Sequence, residues 1–458
     1  MKTARSSIYC PSRFTHKVGE SLVVEVELTE NPYDLPAETL YEMAARINKK
    51  RSFLFVSKVL GKHIPTRPEI PLIASALLAS IYYEGKTGKQ AHESVQLIEA
   101  LKDGSIVKTQ AAYSVVKDLN YSLGEPVVFI GFAETATALG HGVFESFSDA
   151  DYIHSTRDLL LNEDVTLYFE EEHSHATDQR CYAPEHLLNN TKPICLVDDE
   201  ITTGKTALNI IASIQRRYPR KEYSVLSVLD WRSEEDRRLL TEFEVEHGVT
   251  IHTYSLMSGK IQVVGTPSFD ETEVHSEKKS AEETKVNRIS LSSVPTDFPH
   301  HLHVSVDSLG IENKSPFSAI TGRFGIHSDS KKEVEAFCER AGLYLQSYRK
   351  GKKTLCLGTG EFMYLPMKIA LYMGTEVLYH STTRSPIYPI NREGYPIKNR
   401  FSFKSPDDPK VMNYTYNVTE QNYDEVFLFF ERPIDDERLQ PMLEQFSGIP
   451  VIHIVDFT

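Results

Sequence analysis

A chain of 458 residues is too long for one ordinary hydrophobic core, so two or three domains are expected. With 40% apolar residues, 25% charged residues and a mean hydropathy of −0.32, the composition excludes a disordered or membrane-embedded chain. A formal charge of −14 makes the surface as a whole repel nucleic acid, so an anionic small molecule needs local Lys/Arg, backbone N–H groups or a divalent cation.

The longest apolar run, around Ile70 to Tyr82, is interrupted and too short to cross a bilayer; no membrane partner is expected. The opening "MKTARSSIYCPSRF" lacks the apolar segment of a secretory signal. Cys10, Cys181, Cys195, Cys338 and Cys356 are scattered, odd in number and without zinc spacing, which fits reduced thiols and a cytoplasmic location.

Along the chain, "LPAETLYEMAARIN" (35–48) places apolar residues at helical spacing behind an early Pro and predicts a helix. Residues 51–63 read as strands and turns, and 69–88 as a buried helix ending near Gly85. Short apolar or β-branched runs follow at 126–131, 151–155, 165–172, 193–199 and 222–231, with helical patterns after the first and fourth. That alternation predicts an α/β fold with a doubly wound parallel sheet. Periodicity and aromatic content disappear over 267–300, as in a polar, partly disordered linker. Strand-like runs return at 353–358, 375–381, 424–430 and 450–457, predicting a second, smaller α/β domain. The expected division is 1–265, a linker over 266–318, and 319–458.

The most informative stretch is "KPICLVDDEITTGKT" (192–206): strand, Asp198-Asp199, then Thr202-Thr203-Gly204-Lys205-Thr206 opening the helical pattern "ALNIIASIQRR". A nucleoside-triphosphate P-loop needs Gly where Asp199 stands, so that reading fails. The turn can direct successive N–H groups and three hydroxyls at one phosphate, at the positive end of a helix. Two carboxylates beside it would repel a bare phosphate; they suit ribose hydroxyls and Mg²⁺ attached to one. An N-capped helix start would explain Thr202 or Thr203 but not the acid pair.

The stretch resembles the phosphoribosyl-pyrophosphate (PRPP) signature of type I phosphoribosyltransferases. The resemblance implies that Asp198 and Asp199 contact the ribose and Mg²⁺ while Thr202 to Thr206 cradle the 5′-phosphate. It also implies a pyrophosphate loop after an earlier strand, which "VVFIGFAETATALGHG" supplies as Gly131-Phe132-Ala133-Glu134-Thr135-Ala136. Arg157 in "YIHSTRD" is the implied cation against the pyrophosphate, and a surface arginine is the plain alternative. The polar segment 169–186 lies where the family has a mobile flap that excludes water from a cationic centre. Within it Glu170, His173 and His175 lack a defined metal-ligand spacing and read as a solvated loop.

More narrowly, the chain is similar to the orotate-phosphoribosyltransferase-like branch encoded with tellurite-resistance and stress-response operons. The N-terminal pattern "NPYDLPAETLYEMAARINKKRSFLFVSKVLGKHIPTRP" and the Thr383-Arg384-Ser385-Pro386 string, after which that branch's C-terminal TRSP domain is named, carry the resemblance. It implies transfer of a phosphoribosyl group from PRPP to a nitrogenous base, a substrate hood containing Lys58, Lys62 and His63, and a homodimer by analogy. Thr202, where purine-salvage relatives have Asp, disfavours a purine acceptor. Glu200 replaces an apolar residue of the motif, and the sequence offers no account of it. A regulator that binds PRPP without turnover is the competing reading.

The C-terminal part also echoes the first. Gly131-x-x-Glu134 and Gly358-x-x-Glu361 are each followed, 26 residues after the glycine, by an arginine, Arg157 or Arg384, and both arginines follow a His-Ser-Thr string. "DEVFLFFERP" then stands in the place of "KPICLVDDE" with no Thr-Thr-Gly-Lys-Thr after it. The pattern predicts a degenerate copy of the first fold with a second anion site at Glu361, Arg384 and Ser385; convergence of two ordinary strand–helix–strand units is the alternative.

Overall fold

The computed structural model describes residues 12–18, 21–47, 51–170, 178–266 and 284–457. The first unit begins with antiparallel β1 (Arg13–Val18) and β2 (Leu22–Glu30), a single turn α1 (Ala37–Leu40), and the antiparallel pair β3 (Tyr41–Ala45) and β4 (Phe53–Ser57). Helices α2 (Glu69–Thr87), α3 (Ser94–Asp103) and α4 (Ile106–Asp118) follow. Then come β5 (Val127–Gly131), α5 (Ala136–Phe144), β6 (Ala150–His154), β7 (Leu159–Leu161) and the pair β8 (Leu167–Glu170) and β9 (Asp178–Cys181). The unit ends with β10 (Ile194–Ile201), α6 (Lys205–Arg217), β11 (Glu222–Asp230), α7 (Glu234–His247) and β12 (Thr250–Val264).

Strands β12, β11, β10, β5 and β6 lie side by side and parallel, with β2 and β1 added antiparallel at the β12 edge. The unbroken apolar runs of β5 and β10 suit strands covered on both faces. α2 and α5 pack on the strands, with α3 and α4 against α2, while α6 packs with α7. The doubly wound α/β architecture is therefore present.

The second unit starts inside the predicted linker. β13 (Lys285–Ser290) is followed by short strands β14 (His300–His301), β15 (Val304–Val306), β16 (Glu312–Asn313), β17 (Phe317–Ser318) and β18 (Ile326–His327). Next are α8 (Lys331–Gln346), β19 (Thr354–Gly358), α9 (Tyr364–Ala370), β20 (Val377–Ser381) and the pair β21 (Arg400–Lys404) and β22 (Met412–Tyr416). β23 (Glu425–Phe430), α10 (Asp436–Leu443) and β24 (Val451–Asp456) complete it. Its sheet runs β13-β24-β23-β19-β20, all parallel. Counted in chain order apart from β13, this reproduces the order of β12-β11-β10-β5-β6 in the first unit.

Three expectations differ from the structure. Residues 35–48 are not one helix: after one turn the chain becomes β3, because Tyr41, Met43 and Ala45 bury against β4 and the second unit, where Ala45 N–H donates to Tyr395 Oη at 2.8 Å. α2 runs past Gly85 and stops at left-handed Gly88. Within 266–318, β13 is an integral strand of the second sheet, and β15 pairs with β7 of the first unit; residues 267–283 lie outside the described residues. Backbone pairing satisfies those polar segments without apolar periodicity.

The units are not separate cores. Alternate residues of the second sheet face opposite ways: Cys356, Phe427 and Phe429 join the large cluster containing the first unit's core, whereas Leu355, Leu357, Val426 and Leu428 form their own. α5 packs on α9, with the rings of His141 and Tyr364 stacked at 3.8 Å. Lys368, 2% exposed at its side chain, bridges Glu145 of the first unit and Glu335, the latter at 2.7 Å. Splitting the chain between residues 266 and 284 should leave both halves aggregated or partly unfolded by size exclusion and amide exchange; a protected, cooperative N-terminal half would contradict a shared core. A methyl added at Gly131 would sit 2.5 Å from Ala136 O and 2.6 Å from Tyr152 Oη, so Gly131→Ala should lower stability by about 1–3 kcal/mol in urea titrations.

Candidate functional site

A cavity of about 420 Å³ opens where β5 and β10 end, the usual ligand side of a parallel sheet. Asp198, Asp199 and Glu200 line one wall, near the end of β10 and just before the Thr202–Thr206 turn. Asp199 N–H donates to Asp198 Oδ1 at 2.9 Å, which fixes the first carboxylate. Burial, and then the charge of Glu200, push the Asp199 carboxyl up to about 6. Glu200 is accounted for here: Arg51 of the N-terminal segment pairs with it at 2.5 Å and lies over Phe53, its guanidinium carbon 4.6 Å from the ring centre.

Thr202 and Thr206 of the turn line the same cavity. Gly204, at φ +83°, caps α6, and Lys205 N–H turns back to Thr203 Oγ1 at 3.3 Å. A side chain at Gly204 would meet Arg232 Cδ at 3.2 Å, and Arg232 is clamped by Asp230 through bonds of 3.0 and 2.7 Å. The left-handed glycine therefore lets the turn lie directly on a buried ion pair.

Opposite stands the loop after β5. Phe132, Ala133, Glu134 and Thr135 line the cavity, with Gly131 ending the strand and Ala136 starting α5. Ala133 N–H donates to Ser155 Oγ at 2.8 Å, and Ala133 O accepts from Gln179 Nε2 at 2.7 Å. That amide is thus committed to shaping the loop rather than offered to a ligand. Glu134 is buried against Lys62 at 2.8 Å and Arg384 at 3.9 Å. Burial alone would raise its carboxyl, but the charges of Lys62, Arg384 and Arg157 outweigh it and hold the group near 2.

The three hood candidates separate. Lys62 is 1% exposed and its ammonium also donates to Thr382 O of the second unit at 2.8 Å, so it is a buried tie between units. His63 lines the cavity; burial first, then Lys62 and His380, pull its imidazole down to about 3, and its Nδ1 is buried with no hydrogen-bond partner among the described residues. Lys58 lies at a different depression and pairs with Glu42 at 3.4 Å. Arg157 lines the cavity, and its backbone N–H donates to Glu361 Oε1 at 2.8 Å. β8 and β9 form the arms of the predicted flap, with Asn209 Nδ2 donating to Glu170 O at 3.1 Å; His173 and His175 lie outside the described residues.

Of the predicted second anion site, Arg384 and Ser385 border the first cavity. Glu361 borders an adjoining one of about 780 Å³, which also contains Arg157 and Arg384. Arg46, Arg51, Gln179 and Lys410 also belong to the first cavity and were missed by sequence reasoning. They are single polar residues without a spacing pattern: Arg46 follows β3, Arg51 precedes β4, Gln179 lies in β9 and Lys410 in the β21–β22 connection. No helix of the described residues is long and apolar enough to cross a membrane.

Residues 40–260 match the family model described as "Phosphoribosyl transferase", and residues 320–446 match the TRSP domain that lies C-terminal to it. No curated protein matches the chain. Similar solved structures include an adenine phosphoribosyltransferase from Giardia lamblia, at 17% identity over 34% of this chain and 84% of that one, with a TM-score of 0.24. Another is adenine phosphoribosyl transferase from Trypanosoma brucei, at 12% identity over 33% and 67% with a TM-score of 0.23. Orotate phosphoribosyltransferase from Aeropyrum pernix gives 19% identity, 32% and 72% coverage and a TM-score of 0.19.

Removing the buried ammonium tests the electrostatics. Lys62→Met should cost about 3–5 kcal/mol in urea unfolding, and adding Glu134→Gln should restore part of it. Because the Glu134 carboxyl is held near 2, below its ordinary 4.5, its stabilisation is present above about pH 4.5 and is lost as the pH falls towards 2. Glu134→Gln should flatten that acid limb; an unchanged limb would show that the pair contributes nothing.

Proposed function

Starting from a chain whose residues 40–260 belong to the phosphoribosyl transferase family and whose residues 320–446 are the accompanying TRSP domain, we propose that it transfers a 5-phosphoribosyl group from PRPP to a nitrogenous base with release of pyrophosphate. The observation that carries this reading is one cavity bordered by the Asp198-Asp199 pair, by Thr202 and Thr206 of the turn, and by Arg157 and Arg384 beside the Phe132 to Thr135 loop. PRPP needs those three groups together: acceptors for ribose hydroxyls, donors for a terminal phosphate and cations for a diphosphate.

Asp198 and Asp199 accept hydrogen bonds from the ribose, and the N-terminus of α6 with its hydroxyls anchors the 5′-phosphate. Arg157 and Arg384 face the leaving diphosphate and stabilise charge as it accumulates there. The carboxylates lie beside the sugar as it gains positive charge, so the two ends of the breaking bond meet fields of opposite sign. Neutral His63, with a buried ring nitrogen unspent, is suited to orient the incoming base rather than to repel or protonate it. Arg51, bound to Glu200, ties the hood to the acidic strand end.

The donor set fits Mg²⁺ as a shared ion. Among the described residues no cluster of three or more ligating side chains could cage a metal, whereas two adjacent carboxylates plus substrate phosphates are the usual arrangement for this cation. Asp198 and Asp199 would hold it, and when bound it supplies charge neutralisation of the diphosphate.

Incubation with PRPP, Mg²⁺ and a panel of bases should release pyrophosphate. Asp198→Asn combined with Asp199→Asn should weaken PRPP binding by about 100-fold or more, since two charged hydrogen-bond acceptors are lost. Arg157→Ala should lower kcat by about 100-fold while leaving ribose contacts intact. The absence of turnover together with the absence in calorimetry of any PRPP binding that Asp198→Asn/Asp199→Asn abolishes would refute the reading.

A further inference from the structure

The two units share more than strand order. One offset of 227 residues, which carries Gly131 onto Gly358, also superimposes their hydrogen bonds. Ala133 N–H donates to Ser155 Oγ at 2.8 Å, and Gly360 N–H to Thr382 Oγ1 at 2.8 Å. Ser155 N–H meets Gly131 O at 2.9 Å, and Thr382 N–H meets Gly358 O at 3.0 Å. Thr156 exchanges backbone bonds with Arg180, as Thr383 does with Tyr414.

The correspondence crosses between units. Tyr152 and Tyr379, related by the same offset, each pack on a left-handed glycine, Gly322 at φ +88° and Gly61 at φ +64°. The next residue is in each case a buried cation: Lys62 pairs with Glu134, and Arg323 pairs with Glu361 at 3.1 Å. Lys62 also reaches Thr382 O in the second unit, and Arg323 reaches Thr156 Oγ1 in the first. Each unit thus lends a strap to the other, as in a two-fold dimer built from one chain. Under that relation the cavity of about 780 Å³ is the counterpart of the first, bordered by the second unit's Gly360 and Glu361 and the first unit's Arg157 and Asp158.

This second cavity is not equipped for PRPP. In register Glu431 stands at the place of Asp199, but it is spent on Arg323 at 3.1 Å and on the N–H of Ser318 at 3.2 Å. The phosphate turn is replaced by Pro433-Ile434-Asp435, and α10 opens with Asp436 and Glu437, whose charges oppose an anion at that helix end. What the cavity offers instead is Arg432. It is 8% exposed, lies over Phe317 with its guanidinium carbon 4.0 Å from the ring centre, and borders the cavity. Its Nη1 is buried without a hydrogen-bond partner among the described residues. Such a donor is costly to leave unmatched, and its fork fits a carboxylate or a phosphate; of these, the phosphate monoester is the one carried by the product of the proposed reaction.

We propose that the second cavity binds a nucleoside monophosphate, the class of product that the first cavity would release, through Arg432. The inference of a product as ligand rests on the phosphoribosyl-transfer reading. Arg157 and Arg384 border both cavities, so a product passing from one to the other meets these two cations, and the volume accommodates a nucleotide.

The test is calorimetry on the full chain, with adenosine, uridine and orotidine 5′-monophosphates as probes and saturating PRPP and Mg²⁺ present. At least one probe should bind at one per chain without being displaced by PRPP. Arg432→Gln should weaken it at least tenfold and leave PRPP affinity unchanged. Arg432→Lys, which keeps the charge and loses the planar fork, should weaken it severalfold and serves if the glutamine variant does not fold. Probe binding that PRPP displaces, binding unaffected by either variant, or no binding by any probe overturns the proposal. Probe binding that depends on Arg432 in a chain that fails to bind PRPP would uphold the second site while refuting the proposed function of the first.

Discussion

One ammonium group holds the two halves of this protein in register. Lys62 is almost wholly withdrawn from water, yet its charge is balanced by Glu134 in the first unit and its other donors meet a carbonyl and a thioether of the second. A buried cation in this position is destabilising unless both partners are present. The interface between units is therefore specified by charge as well as by apolar packing, and the loop that Glu134 belongs to is set by the arrival of the second unit. The site depends on an assembly internal to the chain.

The acidity of the whole molecule makes the local arrangement of arginines more telling. Against a formal charge of −14, Arg157 and Arg384 converge on the border of two cavities, one supplied by each unit. They place two cations among the carboxylates of Glu134, Asp158 and Glu361, whose like charge would otherwise repel an anion. Arg51 and Arg232, by contrast, are neutralised by Glu200 and Asp230 and tie the N-terminal segment and the Thr202–Thr206 turn in place.

The strand–acid–turn–helix of 192–217 was legible because each part has a local cause: apolar run, left-handed glycine, capped helix. The Glu134 and Arg157 loops were legible from their position relative to it. The fate of 35–48 was not, because its apolar spacing satisfies a helix and the strand wins only through tertiary pairing with β4 and Tyr395. β13 was hidden for the opposite reason, being polar on its exposed positions and stabilised by backbone bonds to β24. Glu200 had no meaning until Arg51, far away in sequence, was seen against it. Spacing revealed the recurrence of the Gly-x-x-Glu loop, but only the crossing of Lys62 and Arg323 reveals how the two copies face each other.

The permuted position of β13 bears on how the chain acquires its shape during synthesis. β24 lies between β13 and β23, so an interior position of the second sheet is filled by its latest-made strand, and β13 has no sheet neighbour until then. The N-terminal segment, in which Ala45 of β3 bonds Tyr395 and Arg46 bridges to Ile387, likewise waits for residues translated long afterwards. Such high sequence separation slows closure and leaves strand edges uncovered on the ribosome, where a chaperone that shields them would have its longest window of action.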